Sequence, residues 1–159
     1  MIVVSDTSAI TNLIQLDRLD LLHDLFGEVF LALAVQRELY QLPNQKTILE
    51  SCEWIKVEAV QNQSLLQKLL LELDEGEAAS IVLAIEKHAD YLIIDESEGR
   101  RIAQEWDLKI TGLLGVLVRG KEKGLITALR PIMEELVSKI KFRIHPSLFK
   151  EILKQAGEL

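Results

Sequence analysis

A chain of 159 residues, 48% hydrophobic with few aromatics, is long enough for one well-buried core and too short for two full domains. Its formal net charge of −7 weighs against a nucleic-acid coat protein, because phosphate binding relies on Lys and Arg. The lone cysteine, Cys52, excludes an intramolecular disulfide and the cysteine-rich zinc patterns and fits a reducing cytoplasm, while no apolar stretch reaches the roughly 20 residues that span a bilayer. No basic-then-apolar leader opens the chain, so a cytoplasmic protein without membrane association is expected.

The apolar run Ile2 to Ser5 predicts a parallel strand buried on both faces, and Thr7 and Ser8 supply capping hydroxyls for a helix to about Ile14. Leucines at helical spacing from Leu16 to Phe26 predict a second short helix, stopped by Gly27. Val29 to Leu33 reads as a strand, and Val35, Leu39 and Tyr40 as a helix ended by Pro43. A loop over Pro43 to Lys46 then leads to a helix over Thr47 to Cys52 and a strand around Trp54 to Val57. Leu65 to Leu73 forms an amphipathic helix, and Asp74 to Glu77 interrupts it and starts another, deeply packed one over Ala78 to Lys87. The next strand is Tyr91 to Ile94, followed by a helix over Ser97 to Trp106, a short strand over Leu108 to Ile110 and a turn at Thr111-Gly112. From Leu113 the chain reads as helical, with segments to Lys123, from Thr127 to Lys139 and from Pro146 to Gln155. Strands alternating with helices predict an α/β fold with a mostly parallel sheet in one domain, 1–159.

Four acids, Asp6, Glu38, Glu77 and Asp95, each stand where a strand ends or a helix begins. In an open parallel sheet the carboxyl ends of the strands are where ligands bind, and carboxylates gathered there make a hard oxygen site suited to Mg²⁺ or Mn²⁺. Each acid also has a plainer role open to it: Asp6 and Asp95 as helix caps, Glu77 as a favourable first-turn charge, Glu38 as a solvated side chain. His23, His88 and His145 have no matching spacing, no Gly-rich phosphate loop appears, and Cys52 reads as a small buried hydrophobe. The charge is split along the chain: 17 acidic against 6 basic residues through Glu96 give −11, and 8 against 12 from Ser97 onward give +4. An acidic pocket beside a basic flank follows, with Arg100 or Arg101 as a phosphate contact or a surface ion pair. Surplus leucines on the helices Leu65 to Leu73 and Leu113 to Lys123 suggest a homodimer.

In their order, Asp6-Thr7-Ser8, Glu38-Leu39, Gly76-Glu77-Ala78-Ala79 and Asp95-Glu96 resemble the PIN domain, in particular its VapC-like prokaryotic branch. Gly99-Arg100-Arg101-Ile102-Ala103 and the run from Thr111 to Leu117 resemble one subgroup of that branch. The pattern covers residues 1–126, with the C-terminal helices of 127–159 less distinctive. The resemblance implies a three-layer α/β/α sandwich with strand order 3-2-1-4-5 and an acidic pocket at its carboxyl edge. It also implies Mg²⁺- or Mn²⁺-dependent cleavage of RNA by a toxin that a small antitoxin protein neutralises. One departure stands out: where many members end the fourth strand Thr-x-Asp, this chain has Ile94-Asp95-Glu96, so that either Asp95 or Glu96 faces the metal. The competing readings are a catalytically weak PIN-like scaffold that binds RNA or protein, and a phosphotransfer receiver domain. The latter is disfavoured by a lone Asp6 where an acidic pair is wanted and by the absence of an equivalent Lys.

Overall fold

The computed structural model describes all 159 residues. Five parallel strands, β1 (Val3–Ser5), β2 (Val29–Ala32), β3 (Ile55–Glu58), β4 (Tyr91–Ile93) and β5 (Ile110–Thr111), form one sheet in the order β3-β2-β1-β4-β5. The order reverses at β1, which pairs with β2 through Val4 and Phe30 and with β4 through Val3–Tyr91, Val4–Leu92 and Ser5–Ile93. Parallel neighbours require crossovers, and helices supply them, giving the α/β/α arrangement expected from the sequence. Val3, Val4, Leu92 and Ile93 are fully buried, as the unbroken apolar runs of a doubly covered sheet demand.

Helices α1 (Thr7–Gln15), α2 (Asp20–Phe26) and α3 (Leu33–Leu39) flank the first two strands. After α4 (Pro43–Glu50) and α5 (Gln63–Leu69), α6 (Glu75–Glu86) packs on α3, α5, β1, β2 and β4. Every residue of α6 from Ala78 to Ala84 is buried, and Ser80 satisfies its hydroxyl on the Gly76 carbonyl at 2.7 Å. Then follow α7 (Ser97–Glu105), α8 (Leu113–Glu122), α9 (Arg130–Glu135), a turn of π-helix over Leu136–Ile140, and α10 (Pro146–Gln155).

Several boundaries differ from the expectation. Pro43 does not end a helix; it opens α4 as the first helical residue, where its missing N–H leaves nothing unsatisfied, so the predicted loop over Pro43 to Lys46 is helical. The leucine-rich stretch from Leu16 begins its helix only at Asp20, because Asp17 turns into the left-handed region at φ 56°. Asp74 is the N-cap of α6, so the break expected at Asp74 to Glu77 holds, but the new helix starts at Glu75, three residues before Ala78. The fifth strand lies at Ile110–Thr111, two residues beyond the start expected at Leu108. The leucines invoked for a homodimer are already used within one chain: Leu65, Leu66, Leu69 and Leu73, like Leu113, Val116 and Leu117, are buried, and only Leu71 is left fully to solvent.

Candidate metal and nuclease site

Asp6 follows the central strand, and its backbone N–H donates to the Ile93 carbonyl at 3.0 Å, so the sheet holds it in place. Its side chain is the N-cap of α1: Oδ1 accepts from the Ala9 N–H at 3.1 Å, and Oδ2 accepts from the Ser8 hydroxyl at 3.2 Å. The cap is thus Asp6 itself and not Thr7 or Ser8, and the capping carboxylate is also 3% exposed. Burial pushes its pKa up from 3.8 to about 7; the Ala9 amide opposes the shift, and the Asp95 charge reinforces it.

Around Asp6 lies a cavity of about 390 Å³ whose nine lining residues include nothing apolar. Five are carboxylates, Asp6, Glu38, Asp74, Glu77 and Glu96; the others are Thr7, Ser8, Thr11 and Asn12, with no Lys, Arg or His among them. The Thr7 hydroxyl donates to Glu38 Oε2 at 2.9 Å, tying the first turn of α1 to α3. Glu38 and Glu77 come close to the backbones of neighbouring helices at two glycines. A Cβ on Gly76 would run into Glu38 Oε1, and one on Gly99 would stand 2.7 Å from Glu77 Oε2. Glu77 is raised from 4.5 to about 8, mainly by burial and then by a hydrogen bond and charge repulsion from Asp74, with Glu96 and Asp6 adding to it. Asp74 also accepts the Glu77 N–H at 2.8 Å.

Four of the five sequence candidates therefore meet in one pocket: Asp6, Glu38, Glu77 and Glu96. Asp95 does not line it. Both of its carboxylate oxygens accept the Leu113 N–H at 3.2 Å, at the start of α8, and its side chain borders a second cavity. Burial raises its pKa, while the Leu113 amide and the Arg100 charge lower it. Asp74 is the residue the sequence reading missed. Its signal was present, since an Asp three residues before a Glu at a helix start is a capping pattern that brings two carboxylates together.

The chemistry of this donor set fits a hard divalent cation: oxygen ligands, excess negative charge and no competing cation. No three of these side chains already converge closely enough to hold an ion. The bonds from Ser8, Ala9 and Thr7 already occupy some of their oxygens. The remaining candidates lie elsewhere. Cys52 donates to the Ile48 carbonyl, with its thiol pushed up by burial. His23 stacks on Trp54, and His145 caps α10. Arg101 is held by Glu72, Glu98 and Glu105 on the surface, whereas Arg100 faces the second cavity.

No curated protein matches this chain. A family model described as a PIN domain matches residues 2–158, nearly the whole length, and the sheet order and carboxyl-edge pocket agree with it. The chain belongs to the PIN domain family, a nuclease-type fold.

Proposed function

We propose that this protein is a metal-dependent endoribonuclease that hydrolyses RNA phosphodiester bonds, with Mg²⁺ or Mn²⁺ held by Asp6, Glu38, Glu77 and Glu96. The single observation that carries the reading is the wholly polar pocket of five carboxylates at the carboxyl edge of the sheet, at the strand order's reversal point. A divalent ion bound there would lower the pKa of water and neutralise charge on the phosphate oxygens. The chain's own part is to hold the donors. The Ala9 N–H and Ser8 hydroxyl fix Asp6, the Thr7 hydroxyl fixes Glu38, and the Asp74 carboxylate holds the backbone of Glu77 by accepting its N–H. Near neutral pH the Glu77 carboxyl retains a proton when no cation is present, so cation binding releases it.

The VapC-like toxin role, a small antitoxin protein as inhibitor and a cytoplasmic location belong to the same reading and rest on the sequence resemblance. A homodimer belongs to it as well. Its support lies in exposed Leu42 and Ile48 at the start and middle of α4, not in the leucines of α5 and α8. A second reading, a catalytically weak scaffold that binds RNA or protein, is favoured by one observation: the carboxylates line the pocket without converging. Incubation of purified protein with RNA in Mn²⁺, Mg²⁺ or EDTA separates the two. Endonucleolytic products with either ion, none in EDTA and a loss of at least a hundredfold in Asp6→Asn support the nuclease. No cleavage by the wild type under any of these conditions supports the scaffold.

A further inference from the structure

Beside the acidic pocket lies a larger cavity, about 640 Å³, bounded by the start of α7, the edge strand β5, α8 and α10. Its cationic residues are Arg100 and Arg119. Arg100 is half-buried, and its guanidinium makes no hydrogen bond or ion pair within the chain, in contrast to Arg101, which three carboxylates hold. Arg119 lies with its guanidinium carbon 4.3 Å over the Tyr91 ring, a stacking that fixes the group while leaving its N–H edge free. Two carboxylates share the lining. Asp95 is engaged with the Leu113 N–H, and Glu122 is exposed at the end of α8. The Asp95 charge stands near Arg100 without bonding to it, so both half-buried guanidinium groups keep their N–H donors for a phosphate, whose oxygens match the planar fork.

Position decides which phosphate. Asp95 lines this cavity and the next residue, Glu96, lines the acidic pocket, so the two spaces are neighbours along the chain at the end of β4. An extended ligand such as a nucleic-acid strand is long enough to reach from one to the other. We infer that the Arg100–Arg119 cavity is a seat for a backbone phosphate of the RNA, flanking the bond presented to the acidic pocket. The inference rests on the nuclease reading for the identity of the chain bound, and Arg100 and Arg119 are positioning residues that set register without touching the scissile bond.

The test measures binding of a fluorescent single-stranded RNA in EDTA as a function of salt, and cleavage in Mn²⁺, for wild type, Arg100→Gln, Arg119→Gln and Arg101→Gln. Each cavity variant should bind about tenfold more weakly, the loss of one charge-assisted hydrogen-bonded contact. Each should also lower the slope of log K against log salt by about 0.7, the increment for one phosphate of a single strand. In cleavage, KM should rise about tenfold with kcat kept. Arg101→Gln should match wild type in all three measures. Unchanged affinity, slope and KM in both cavity variants, with a wild type that cleaves, overturns the seat and leaves the nuclease reading standing. A wild type that never cleaves, with slopes that still fall in both cavity variants, sinks the nuclease reading and keeps the seat. Displacement of RNA by inorganic phosphate alone, equally in wild type and both variants, overturns it.

Discussion

The Glu38 carboxylate rests against the α-carbon of Gly76, the second residue of α6, so closely that a Cβ there would collide with Oε1 and lie 3.1 Å from Cδ and 3.3 Å from Oε2. Two parts of the chain 38 residues apart thus share one side of the acidic pocket. Gly76→Ala adds that Cβ. The atoms in its way are the free end of a flexible side chain, so the helix should form and the carboxylate should swing aside. Replacing Gly by Ala inside a helix gains up to about 1 kcal/mol. The expected outcome is a thermal midpoint equal to or above wild type in EDTA, with a smaller rise on adding Mn²⁺. Loss of stability in EDTA would show that Glu38 is held rigidly.

A second prediction concerns the adjacent acids Asp95 and Glu96, whose side chains serve different cavities. Glu96→Gln should remove most of the Mn²⁺-induced rise and at least tenfold of the cleavage, with the fold intact. Asp95→Ala removes the acceptor at the start of α8 and should cost about 1 kcal/mol in chemical denaturation. Asp95→Asn keeps an acceptor and should retain the metal response. The reverse pattern, a silent Glu96→Gln and a dead Asp95→Asn, would move the site to Asp95.

The pH dependence has a definite sign. Asp6 and Glu77 titrate at about 7 and about 8 in the folded protein, against 3.8 and 4.5 ordinarily. Below about pH 4 both carboxyls are protonated in either state and cost nothing. Between about pH 4 and 8 the unfolded chain loses these protons first, so the contribution of both groups to stability falls as pH rises; above 8 the loss is complete. For buried Asp6 the swing is about 4 kcal/mol at full extent. Denaturation in EDTA should therefore show Asp6→Asn less stable relative to wild type at pH 4.5 than at pH 8, where it should exceed wild type. A difference independent of pH would contradict the burial of an ionisable Asp6.

How much of this was legible beforehand differs by element. The apolar runs Ile2 to Ser5 and Tyr91 to Ile94 marked the central strands because a strand covered on both faces tolerates nothing else, and the acids following them fell at the sheet's carboxyl edge as expected. Pro43 was misread because a proline can stop one helix or start another, and the local sequence does not say which, whereas the acidic turn at Asp74 marked a helix start correctly. The side to which Asp95 or Glu96 turns was beyond the sequence, since it depends on the Leu113 amide, 18 residues away. The leucines of α5 overstated the free apolar surface, because their burial depends on packing against α6.

The central claim is that Asp6, Glu38, Glu77 and Glu96 bind one class of divalent ion, and Mn²⁺ titration followed by electron paramagnetic resonance at pH 8 tests it most directly. Wild type should remove free Mn²⁺ from the spectrum stoichiometrically at micromolar protein. Asp6→Asn and Glu77→Gln should each weaken that binding at least tenfold while circular dichroism stays unchanged. Binding by Asp6→Asn at wild-type affinity would contradict the account.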